Sequence, residues 1–71
     1  MSRRFPVRSA REVAQVLRQH GFKNIDQSGS HQKWRSQDGR QVIVPFHGSK
    51  PIPIGTLKSI IEGSGIKLEE F

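Results

Sequence analysis

The sequence predicts an α+β fold with the element order α-β-β-β-α. In that arrangement a three-stranded antiparallel sheet carries two helices on one face and leaves the other to solvent. Three observations predict it. A capped, amphipathic stretch begins at Ser9, an Asp38-Gly39 turn joins two strand-like runs, and a second apolar stripe (Leu57, Ile60, Ile61) follows a proline-rich loop.

The first helix is expected over residues 9–20. Ser9-Ala10-Arg11-Glu12 has the form of a capping box, in which Ser9 accepts from the Glu12 amide and Glu12 reaches back. Ala10, Val13, Ala14 and Leu17 follow at helical spacing, and Gly21 is a left-handed stop after His20, itself placed to favour the helix dipole. A strand is expected from about Phe22 to Gln27. The hairpin comes next, and its loop length decides which side chains are buried, because a one-residue slip turns every side chain over. A two-residue loop at Asp38-Gly39 would bury His31, Lys33 and Arg35 with Val42 and Val44. A three-residue loop, Gln37-Asp38-Gly39, sets Trp34 opposite Val42 and Gln32 opposite Val44. The apolar face is then Trp34, Val42, Val44 and Phe46, while His31, Lys33, Arg35 and Ile43 point outward. Only the second register gives a coherent core. Pro51 and Pro53 keep residues 47–55 out of regular pairing. The second helix is expected from Gly55 or Thr56, stopped or weakened by Gly63 and Gly65, with Leu68 and Phe71 folding back on the core.

Seventy-one residues make one domain, 1–71, with residues 1–8 expected as a flexible basic arm that includes Arg3-Arg4. There is no cysteine, which excludes disulfides, thiolate catalysis and cysteine-based zinc sites, and fits a reducing compartment. No apolar run is long enough to span a bilayer, and the basic N-terminal residues lack the apolar core of a signal peptide. A soluble, cytoplasmic protein without a membrane partner is expected. Charge is the strongest compositional signal: twelve Lys and Arg stand against six Asp and Glu. Residues 1–58 hold eleven basic and three acidic side chains, whereas residues 59–71 hold one and three. A basic body with an acidic end points to a polyanionic partner, most often nucleic acid.

The chemistry belongs on the open face. In the chosen register His31 pairs with Pro45, so His47 lies diagonally across from it, and diagonal neighbours are about 7–8 Å apart. Two histidines, Lys33, Arg35 and Arg40 would converge there. A neutral imidazole can take a proton from a ribose 2′-hydroxyl near neutral pH, and neighbouring cations can hold the phosphate. Gly29 and Ser30 are small enough to let a backbone approach His31, and their amides can help bind phosphate. Metal-independent RNA cleavage needs little more, and no cofactor is expected. Blander readings fit the same residues. The histidines can be solvated surface groups, and Trp34 can be a core residue rather than a base-stacking platform. As a metal site His31 and His47 would be half complete, with no carboxylate or thiolate at a convincing ligand spacing.

Gly21-Phe22, Gly29-Ser30-His31, Asp38-Gly39-Arg40, Val42-x-Val44-Pro45-x-His47 and Gly55-Thr56-Leu57-x-x-Ile60 occur together in this order. In that combination the chain resembles the HicA family of small mRNA interferase toxins over nearly its whole length. The resemblance implies a double-stranded-RNA-binding-domain-like fold and metal-independent cleavage of mRNA by the histidine of Gly-Ser-His, here His31. It also implies a HicB-type antitoxin partner that covers the active site. Taken together, the expected function is that of a toxin endoribonuclease. His31 is its general base; Gly29, Ser30, Lys33, Arg35, Arg40 and His47 are its RNA- or phosphate-binding residues. The alternatives are a non-catalytic RNA-binding module of the same fold and a protein-interaction domain whose basic face binds an acidic partner.

Overall fold

The computed structural model describes residues 5–71; the Arg3-Arg4 pair of the expected arm lies outside the described residues. The elements are α1 (Ala10–Gln19), β1 (Lys23–Ser28), β2 (His31–Arg35), β3 (Gln41–Pro45), α2 (Ile54–Ser64) and a closing 3-10 turn, Leu68–Glu70. The sheet is antiparallel in the order β1-β2-β3. This is the α-β-β-β-α order of the double-stranded-RNA-binding-domain-like class.

Both ends of α1 are closed by their own sequence. The Ser9 hydroxyl accepts from the Glu12 amide at 3.2 Å and the Glu12 carboxylate accepts from the Ser9 amide at 2.9 Å, a complete capping box. At the other end Gly21 adopts φ +87°. The Phe22 and Gly21 amides then reach back to the Leu17 and Arg18 carbonyls, the paired bonds of a Schellman motif. That turn delivers Phe22 into the core, 3% exposed, immediately before β1 begins.

The hairpin has the three-residue loop. Arg35 pairs with Gln41, Trp34 with Val42, Gln32 with Val44 and His31 with Pro45. Ser36 and Arg40 close the loop through a 2.9 Å backbone bond, and Gly39 sits at φ +90°. Trp34, Val42 and Val44 therefore face inward and are buried, Phe46 packs against them half-buried, and Ile43 is exposed on the outer face. Trp34 is 2% exposed, with its indole N–H on Gln32 Oε1 at 3.1 Å and the Arg18 guanidinium 5.2 Å from its ring centre. It is a core residue, not a platform for bases.

Both helices cover this inner face: Val13 and Leu17 of α1 and Leu57, Ile60 and Ile61 of α2 join Trp34 and Val44 in one cluster. Helix α2 starts at Ile54, one residue earlier than expected, behind an N-cap Pro53 that makes no side-chain cap. Gly63 does not end it. The helix runs to Ser64, and Gly65 in the left-handed conformation, φ +71°, is the C-cap. A Cβ on Gly63 would stand 3.1 Å from Val42 Cγ1, so this glycine lets α2 lie close on β3.

The first and last described segments meet. Phe5 packs on the core, Arg8 Nε donates to the Phe71 carbonyl, and Phe71 is buried. Ser9 bridges to Pro51, and the Ile52 amide donates to the Arg8 carbonyl at 2.8 Å. Ile52 is thereby buried beside the core, which anchors the proline-rich segment despite its two prolines.

Candidate functional site

Two tight turns build the site. Ser28 pairs with His31, leaving Gly29-Ser30 as a two-residue loop, with φ +59° at Gly29 and no positive φ at Ser30. That is the sign pattern of a type II′ hairpin turn, which needs glycine at its first central position. The turn starts β2 at His31. Beyond β3 the Phe46 amide still donates to the Ser30 carbonyl, at 2.5 Å, which carries the pairing one residue past Pro45. The chain then turns again: the Lys50 amide donates to the His47 carbonyl at 3.3 Å, with Gly48 at φ +67°.

The result is a hollow of about 280 Å³ that both His31 and His47 line. Pro45, Lys50, Pro53 and Thr56 also line it. Both imidazoles belong to exposed residues. No carboxylate lines the hollow. No group of three or more His, Cys, Asp and Glu side chains capable of holding a metal occurs among the described residues.

The other expected site residues divide. Lys33 and Arg35 share the outward face of β2 with His31, at successive alternate positions. A strand rises about 3.3 Å per residue, so they lie about 7 and 13 Å along from His31, outside the hollow but on one track with it. Lys33, half-buried, stands between Asp26 of β1 and Ile43 of β3. Arg35 is held by Gln41 Oε1, at 3.1 Å from Nε and 2.6 Å from its terminal nitrogen. Arg40 does not converge with the histidines. Its Nε pairs with Asp38 at 3.2 Å and its terminal nitrogen donates to the Ser64 carbonyl at 3.2 Å, so it caps the C-terminus of α2. The three-residue loop is the reason: it leaves Arg40 at the hairpin tip, at the opposite end of the strands from His31.

A larger hollow, about 560 Å³, lies at that opposite end, lined among others by His20, Phe22, Arg40 and Lys67. Within it Arg40 pairs with Asp38, and the His20 imidazole lies 3.5 Å from a Glu70 carboxylate oxygen. Ser36 donates to the Asp38 carboxylate, and that bond, followed by Arg40, holds the Asp38 carboxyl below the ordinary carboxylate range. Lys50 and Thr56 are the residues that sequence reasoning missed. The signal that could have found Lys50 is His47-Gly48-Ser49-Lys50, whose glycine marks a turn that returns Lys50 toward His47.

Fold and site together define a small basic domain of the double-stranded-RNA-binding-domain-like class, with a histidine pair exposed at one end of an open sheet face. Within that class the chain belongs to the HicA family: the family model described as the HicA toxin of bacterial toxin-antitoxin matches residues 10–66. It is thus the toxin of a bacterial toxin–antitoxin system, which implies a HicB-type antitoxin as its partner. No curated protein matches the chain. No helix among the described residues is long and apolar enough to cross a membrane.

Proposed function

We propose that this toxin is an endoribonuclease that cleaves mRNA without a metal, with His31 as its general base. One observation carries the reading: His31 and His47 share a carboxylate-free hollow at the end of a track of outward basic side chains. His31 takes the proton of a ribose 2′-hydroxyl. The freed oxygen attacks the adjacent phosphorus, the bond from phosphorus to the 5′-oxygen breaks, and that leaving oxygen takes a proton from His47. The products are a 2′,3′-cyclic phosphate and a free 5′-hydroxyl. Gly29 and Ser30 keep the approach to His31 open. Lys33 and Arg35 hold the RNA backbone along the strand, and their charge-assisted bonds to phosphate fix its register. A HicB-type antitoxin silences such an enzyme by covering His31.

The test is cleavage of purified single-stranded RNA in EDTA, wild type beside His31→Ala, with folding checked by circular dichroism. General-base loss costs about 10²–10⁴ in rate. The expected result is cleavage by wild type, with 5′-hydroxyl ends, and none by the folded variant. Products ending in a 3′-hydroxyl would rule out the 2′-hydroxyl as nucleophile. RNA binding by both proteins without cleavage by either would instead make the face a binding surface.

A further inference from the structure

Lys50 stands in the hollow without a role in the reaction as described above. Its ammonium has no ion pair or hydrogen bond among the described residues, and no carboxylate lines the hollow to which Lys50 contributes. Its placement is determined by structure on both sides. The His47–Lys50 turn, closed at 3.3 Å, brings it back beside His47. The Ser9–Pro51 bridge and buried Ile52 then fix the chain immediately after it. A lysine on a free loop could sweep a wide arc; this one starts from a backbone tied at both ends. The rest of the wall is apolar or small, with Pro45, Pro51 and Pro53 offering rigid, flat surface. Ligand pockets commonly run to about 300–1,000 Å³, so a hollow of about 280 Å³ has room for one ribose and its phosphate and little beyond.

We infer that Lys50 is a further catalytic residue: it binds a non-bridging oxygen of the scissile phosphate, while the proline-walled hollow seats the ribose and phosphate of the one nucleotide whose 2′-hydroxyl meets His31. This rests on the ribonuclease reading above. As the 2′-oxygen attacks, negative charge grows on the non-bridging oxygens, and an ammonium fixed at that point stabilises the transition state more than the ground state. Lys33 and Arg35, farther along β2, hold flanking phosphates and act chiefly on affinity. No bond to Lys50 forms or breaks, and its proton stays in place.

The experiment compares Lys50→Ala and Lys50→Arg with Lys58→Ala, which removes an exposed lysine of α2 outside the hollow. Steady-state cleavage of a short RNA is measured in EDTA at 0.15 M salt. Loss of one donor to developing charge typically costs about 10²–10³ in kcat. Lys50→Ala should fall by that factor in kcat with KM changed only a few-fold, Lys50→Arg should recover part of it, and Lys58→Ala should stay near wild type. Equal, small effects of Lys50→Ala and Lys58→Ala would overturn the assignment and reduce Lys50 to general surface charge. If wild type does not cleave at all, the ribonuclease reading fails by itself, and the Lys50 assignment moves to binding of a 2′-O-methyl RNA followed by anisotropy. Lys50→Ala must then weaken binding at least about 3-fold more than Lys58→Ala, half of a 1.4 kcal/mol, tenfold step; parity sinks it.

Discussion

Arg40 and Lys33 carry the same charge within one hairpin, and the register gives them different work. Arg40 is bonded to Asp38 and to the Ser64 carbonyl at the last turn of α2, where a cation also suits the helix dipole. Lys33 faces outward in the middle of β2. Arg40→Ala should therefore lower stability by about 0.3–1 kcal/mol and leave RNA affinity unchanged. Lys33→Ala should do the reverse, reducing the slope of log affinity against log salt by about 0.7, the loss of one phosphate contact to a single strand. Urea melts read through Trp34, the single tryptophan and 2% exposed, and a salt titration of RNA binding separate the two effects. A salt slope reduced in Arg40→Ala would return that residue to the RNA face. Gly65 meets Arg40 from the other side. A Cβ there would collide with the Arg40 guanidinium on a backbone already at φ +71°, so Gly65→Ala both strains the cap and displaces Arg40.

Helices α1 and α2 reach their stability by different routes. Helix α1 is closed by its own sequence, through the capping box and the Schellman turn. Ser9→Ala removes the side-chain acceptor for the Glu12 amide, and a loss of about 0.5–2 kcal/mol is expected from thermal melts. Helix α2 has no side-chain N-cap and no acidic residue in its first turn, and it depends on Leu57, Ile60 and Ile61 packed on β3. Its Gly63 looks like a weakness, because alanine is favoured over glycine in a helix by about 1 kcal/mol. The 3.1 Å approach to Val42 reverses that expectation: Val42 is buried and stiff about χ1, so it cannot give way cheaply. Overpacking costs about 1–3 kcal/mol, and Gly63→Ala should come out destabilised rather than improved. A raised melting temperature for that variant would mean that α2 can lift off β3 without penalty. Strand β1 is the plainest element of all. Every residue in it is exposed, and a bulge between Asn24 and Asp26 interrupts its pairing with β2. Lys23 and Asp26 on this edge discourage further strands from adding to it.

The molecule as a whole is polarised. No carboxylate lines the hollow of His31, His47 and Lys50, while at the hairpin-tip end Arg40 pairs with Asp38 and the His20 imidazole lies 3.5 Å from a Glu70 carboxylate oxygen. With a formal net charge of +6, the histidine end is where the proposed RNA should be drawn. The same division sets the acid limit. Backbone donation from Ser9 leads in holding Glu12 below its ordinary pKa, and the Ser36 hydroxyl leads for Asp38. A carboxyl with a depressed folded pKa contributes stability above its unfolded value and loses it as pH falls through the folded one. Melting temperature should therefore decline as pH falls below about 4, where such carboxylates take up protons. Asp38→Asn should shallow the decline, and an unchanged acid profile in that variant would remove Asp38 from the account.

Much of this was legible in local sequence because its causes are local. The capping box, the stop at Gly21 and the Asp38-Gly39 turn are short-range chemistry, and alternation along β2 and β3 chooses one hairpin register over the other. From that register, His31, Lys33 and Arg35 had to face solvent, and Trp34 had to be buried. Whatever depended on segments distant in sequence stayed hidden. Arg40 could be read as one more cation for the site, since nothing near it announces the Ser64 carbonyl 24 residues on. Gly63 could be read as a helix stop, since its partner Val42 lies on another element. Lys50 could be passed over within a proline-rich loop, since its address is set by Ser9 and Arg8 pairing with Pro51 and Ile52. The sequence by itself determined the elements, the sheet's inner and outer faces and the exposed histidines, because period and turn chemistry act between near neighbours. Only the tertiary structure decided which cations line a hollow with His31, because side chains from different elements come together only once the helices and the segments flanking them have packed on the sheet.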